Sequence, residues 1–196
     1  MNQVIDYLAS YLSIWNVTRA AGITAYLLLF LSMMSGILYK LPANSTLFNK
    51  YLLQIHESTG WLGLLFGMTH GLVLLFEKNY TNYTIINILI PFTTKQQVLS
   101  LSLGILAFYG ILTLIISTDF LKKLGKKTWK SIHFLSFPTF FLALMHGILM
   151  GSDTNNIVMI LLYSITGIAI LSLTIMRLWI AKYNNKTKLV KEQPPA

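Results

Sequence analysis

The chain has 196 residues, 55% of them hydrophobic and 11% charged, a balance too apolar for an ordinary soluble domain and suited to a compact helical membrane protein. It contains no cysteine, which excludes disulfides, thiolate metal sites, cysteine-ligated iron–sulfur clusters and covalent haem attachment through CxxCH. The net charge of +9 gives no reason to invoke nucleic acid, because the basic residues cluster between apolar spans, where the positive-inside bias accounts for them.

Residues 1–16, MNQVIDYLASYLSIWN, place Val4, Ile5, Leu8, Leu12 and Trp15 on one face, with Asn2, Asp6 and Ser13 largely on the other. This predicts a short interfacial helix. The basic n-region of a secretory signal is absent, so no cleavage is expected. Five spans long enough to cross a bilayer follow, at about 17–39, 51–76, 97–118, 131–151 and 156–180, each predicted helical because amides in lipid must bond within their own segment. LPANST after Lys40 and GSDTNN at 151–156 are turns. Residues 77–96 include YTIINILIPF, too short to span after its polar flank and expected to be interfacial or re-entrant.

The expected fold is therefore an all-α integral membrane bundle of five helices, or six with the N-terminal segment. A spanning domain at 17–182 would be followed by a disordered cytoplasmic tail at 183–196, too short to fold alone. Twelve basic residues fall on one side: Lys40, Lys50, five lysines between 122 and 130, Arg177, Lys182, Lys186, Lys188 and Lys191. Only Arg19, Lys78 and Lys95 fall on the other. The expectation is a multi-pass protein of the cell membrane with its N-terminus outside and its C-terminus in the cytoplasm.

All four histidines lie inside spans. His56 and His70 are fourteen residues apart on the second, with Gly60, Gly63 and Gly67 between them near the same helical face. His133 and His146 are thirteen apart on the fourth, which runs parallel to the second. Side by side, these spans put His56 level with His133 and His70 level with His146, roughly 20 Å apart in depth. Two imidazoles leave zinc or copper short of ligands, whereas a porphyrin supplies four nitrogens and leaves two axial positions. Glycines beside a ligand let a flat macrocycle approach the backbone, although small-residue helix packing explains them as well. Thirteen residues leave His133 and His146 some 140° apart in phase, and Pro138 between them is expected to kink or rewind the span.

Among other candidates, Arg19 could pair with propionates by a charge-assisted bond or simply anchor the interface beside Trp15. Trp61 and Trp129 could flank an electron path, with packing the more ordinary role, and Glu57 could take part in proton movement if quinol is the donor, with facing the headgroups the more ordinary role. The lysine-rich loop could dock an acidic donor, with the positive-inside bias the stronger explanation.

The His spacings, the basic loop with LGKKTWKSIHFLSFP and the opening WNVTRAAGITAYLLL together resemble the ferric-reductase-like transmembrane domain. That family includes NADPH oxidases, ferric reductases and the haem-bearing membrane subunit of bacterial methionine sulfoxide reductase systems. The similarity covers about residues 15–182. It implies two bis-histidine b-type haems, an inner one on His56 and His133 and an outer one on His70 and His146, carrying electrons outward. NADPH oxidases have six spans and a cytoplasmic flavin and nicotinamide domain; this chain has five expected spans and no flavin or NAD(P) site. Electrons would enter from a separate cytoplasmic flavin reductase or from membrane quinol, and leave to ferric iron or an extracytoplasmic redox partner. On this reading the chain is an oxidoreductase component. The alternatives are a haem-holding membrane anchor or sensor and, further off, a transporter whose histidines relay protons or metal.

Overall fold

Hydroxyl side chains set where the long helices begin. Ser13 accepts from Asn16 N at 3.3 Å to open α1 (Ile14–Leu38), and Ser45 accepts from Phe48 N at 3.2 Å to open α2 (Thr46–Val73), each capping an amide of the first turn. A computed structural model describes residues 13–39, 41, 45–78 and 80–191, and among them every regular element is helical. Most of the expected interfacial helix at 1–16 lies outside the described residues, as do Pro42, Ala43 and Asn44 of the first connector.

After α2 and a 3₁₀ turn at Leu74–Phe76 come a short α3 (Ile85–Leu89), α4 (Val98–Asp119), α5 (Leu121–Leu124), α6 (Lys126–His133), α7 (Ser136–Met150) and α8 (Ile157–Lys191). Five stretches are long and apolar enough to cross a membrane: 14–38, 46–76, 98–119, 126–150 and 157–180. They agree with the expected spans within a few residues. The last helix continues beyond its span to Lys191, where a disordered tail was expected. No glycine or proline interrupts 181–191, and the first breaker is Pro194.

The segment 77–96 does not span. A capping box between Thr84 and Asn87 starts α3. The chain then turns back onto α4 through Phe92 N donating to Ser102 Oγ at 2.7 Å and Tyr109 Oη donating to Leu89 O at 2.7 Å. Phe92 and Gln97, at φ 66° and 51°, take the left-handed backbone that this reversal requires.

α1 packs antiparallel to α2, and α4 antiparallel to α7; His56 lies against His133 and His70 against His146, so α2 and the fourth span run the same way. Between these pairs lies a core of Tyr26, Met33 and Ile37 from α1, Phe140 and Leu144 from α7, and Tyr163 and Ile170 from α8. Tyr26 sits at its centre, 5.8 Å from the Phe140 ring and 5.3 Å from Tyr163, with its hydroxyl bonded to Thr166 Oγ1. Buried hydroxyls are satisfied locally: Thr18 donates to Ile14 O at 2.9 Å and Ser102 to Val98 O at 2.6 Å. The outer surface is apolar, with Leu65, Leu99, Ile116, Ile168 and Trp179 all exposed, as a lipid-facing bundle requires.

Candidate functional site

The sequence of the first span repeats a small motif at the same interval as the histidines of the second. Thr18 and Gly22 recur as Ser32 and Gly36, fourteen residues on. Because α1 and α2 are antiparallel, the first copy meets His70 and the second meets His56. Nδ1 of His70 donates to Thr18 O at 2.8 Å, and Nδ1 of His56 to Ser32 O at 2.8 Å. A third copy, Ser100 and Gly104 on α4, meets His146, whose Nδ1 donates to Ser100 O at 2.7 Å.

The glycine is what permits the approach. In a helix the carbonyl of residue i already accepts from the amide of residue i+4, so a ring nitrogen reaching that carbonyl must lie against residue i+4. A Cβ on Gly22, Gly36 or Gly104 would stand 2.8, 2.9 or 2.6 Å from Nδ1 of its histidine, inside contact distance. The hydroxyl residue contributes separately: Ser32 Oγ donates to His56 O at 2.9 Å, tying α1 to α2 at the same level.

A carbonyl only accepts, so in each neutral ring the proton is on Nδ1 and the lone pair is on Nε2. The rings then face one another in the expected pairs. His56 and His133 have centroids 5.9 Å apart with planes at 69°, and His70 and His146 are 6.1 Å apart at 77°. Two imidazoles on opposite sides of one metal, at about 2.0–2.1 Å per bond, have ring centres roughly 6 Å apart. The break between α6 and α7 brings His133 into line. Pro138 has no amide for Phe134 O, and Phe137 N takes that carbonyl instead at 3.3 Å, rewinding the span locally. This is the rewinding expected from the phase mismatch.

Around His70 and His146 lies a cavity of about 630 Å³. Gly22, Gly63, Gly67 and Gly104 line it, with Phe108, Tyr109 and Leu101 as apolar walls. A Cβ on Gly63 would meet Leu28 and Leu29 at 3.5–3.6 Å, and one on Gly67 only Phe108 at 3.9 Å; Gly60 packs beside Ser32 Oγ. The glycines between the two histidines of the second span therefore do not support the imidazoles. That task falls to Gly22, Gly36 and Gly104 on the facing helices.

Arg19 lies at one end of the cavity, ion-paired with Asp153, to which its Nε donates at 2.9 Å. The guanidinium, which the sequence offered either to a propionate or to the interface beside Trp15, pairs here with the carboxylate of the 151–156 turn. Tyr83 also lines this end, and burial pushes its phenol up. Trp15 and Tyr80 meet at a tilt, with centroids 5.0 Å apart, and line both the cavity and a polar recess formed with Ser13, Asn16 and Glu77. At the opposite, lysine-rich end, Trp129 stacks on His133 at 4.7 Å and 28°, and Trp61 is half exposed.

Among the described residues no three His, Cys, Asp or Glu side chains come together, so neither pair makes a complete bare-metal site. The donor set suits a group that brings its own equatorial ligands. Scans of family models, of curated proteins and of solved structures find no match to this chain.

Proposed function

We propose that this protein is a b-type cytochrome of the cell membrane that holds two haems, one between His56 and His133 and one between His70 and His146, and passes single electrons across the bilayer. The observation that carries the reading is the pair of facing imidazole couples at two depths of parallel helices, with ring centroids about 6 Å apart in each and three of four Nδ1 atoms anchored. Such anchoring through the far nitrogen orients a metal-ligating histidine and raises its basicity.

The haem iron supplies the one-electron redox chemistry. His56, His133, His70 and His146 would hold the two haems, and at the His70/His146 site Gly22, Gly63, Gly67 and Gly104 line the cavity that would receive one, among apolar side chains that exclude water. Ligation from both sides favours electron relay over oxygen binding. The lysine-rich end, assigned to the cytoplasm by its charge, would meet a flavin reductase or quinol as donor, and the Arg19 end an acceptor such as ferric iron or an extracytoplasmic redox protein. The resemblance to the ferric-reductase-like transmembrane domain supports the same assignment.

The experiment is a dithionite-reduced minus oxidised visible spectrum of the purified protein, with a pyridine haemochrome assay. The expected result is sharp low-spin b-type bands at about two haems per chain, with His70→Ala and His133→Ala each perturbing one. A colourless protein from haem-replete cells would overturn the proposal.

A further inference from the structure

The two histidine pairs are not equivalent. His56, His70 and His146 are each anchored through Nδ1 to a backbone carbonyl, whereas Nδ1 of His133 is buried with no hydrogen-bond partner among the described residues. The cause is readable in the register of α4 against the fourth span. Counting thirteen residues along each helix from the Gly104–His146 contact brings His133 to the level of Ser117, and Trp129, one turn before His133, donates from Nε1 to the neighbouring Thr118 Oγ1 at 3.1 Å. A side chain thus stands where the other three histidines meet a glycine.

His133 is also the last residue of α6, just before the break at Phe134 and Leu135. An imidazole without an acceptor on Nδ1 is a weaker donor through Nε2 and is free to turn. Moving toward water would satisfy its stranded N–H. What retains it is the stack on Trp129, one helical turn earlier.

We infer that His133 is the exchangeable ligand: at the lysine-rich site a small neutral molecule of the carbon monoxide class takes its place, while the His70/His146 site stays closed. This rests on the haem reading above. The exchange breaks the bond from His133 Nε2 to the iron and forms one from the entering molecule. Each donates one electron pair, so no oxidant, reductant or proton is needed.

The test is carbon monoxide titration of the dithionite-reduced full chain purified with its haem, followed in the visible spectrum. The expected stoichiometry is about one carbon monoxide per chain holding about two haems. Trp129→Ala should tighten carbon monoxide binding roughly 2–10-fold, the worth of an aromatic stack, and Trp129→Phe should restore the parent affinity. If Trp129→Ala fails to fold, Gly104→Ala decides. It loosens haem at the His70/His146 site, so carbon monoxide should stay at about one per chain while haem falls towards one, whereas a carbon monoxide count that falls with the haem would put the parent's site at the other pair. Haem that takes no carbon monoxide, takes it equally at both sites, or is indifferent to Trp129→Ala overturns the inference and leaves the cytochrome reading standing. A protein without haem fails that earlier reading instead.

Discussion

Gly104→Ala is the sharpest perturbation the structure offers, because the three atoms nearest the added methyl group all belong to one functional ring. Its Cβ would lie 2.6 Å from both Nδ1 and Cε1 of His146. Ordinary contact begins at 3.4 Å, so the ring must retreat by 3.4 − 2.6 = 0.8 Å. Added along the bond to Ser100 O, that displacement takes 2.7 Å to 2.7 + 0.8 = 3.5 Å and ends the hydrogen bond. Losing the partner of a buried donor costs about 1–3 kcal/mol, and loss of such an outer-shell bond typically weakens a metal site about 10–100-fold. Haem retention at the His70/His146 site should fall by that order while the other site keeps its spectrum, read as haem per chain after dilution and as the remaining low-spin bands. Two haems per chain with unchanged bands and reduction potentials in Gly104→Ala would refute the idea that this glycine exists for the imidazole.

Gly67→Ala separates a filled chamber from an empty one. Its Cβ meets only Phe108 at 3.9 Å in the protein alone, so without a macrocycle the variant should match or slightly exceed the parent in thermal stability. With one, haem content should drop at the cavity site. Pro138→Ala restores an amide for Phe134 O and should straighten the span, turning His133 away from His56. The expected result is loss of the His56/His133 bands alone, checked in the difference spectrum. Arg19→Ala removes a partly exposed ion pair with Asp153 and should cost about 0–1 kcal/mol by thermal unfolding in detergent, with both haems retained. A loss of haem on that substitution would show that the arginine serves the cofactor.

The five spans were legible because a bilayer imposes length and hydropathy directly on the sequence. The depth matching of His56 with His133 and His70 with His146 followed from two spacings and the parallel sense of alternate spans, and the phase problem named Pro138 as the place to look. The cradle was missed for a physical reason: Gly60, Gly63 and Gly67 share a face with the histidines, but a ring is supported by the helix opposite it. The signal was present as Thr18/Gly22, Ser32/Gly36 and Ser100/Gly104, recurring on the first and third spans. Reading it requires an antiparallel partner, and that is tertiary information. The Arg19–Asp153 pair was hidden likewise, since 134 residues separate its members.

The matched fourteen-residue intervals on α1 and α2 act as a vernier with two coincident marks. Inserting one residue between Gly22 and Gly36 would rotate one mark about 100° around the helix axis and shift it about 1.5 Å along it, leaving the other aligned. No local adjustment of side chains recovers both. Length between the marks is thus fixed far more tightly than identity, whereas the connector around residues 39–45 can lengthen or shorten without touching either. A library that varies lipid-facing residues of α1 freely while holding this interval should keep both sites, and a single-residue deletion within it should remove one.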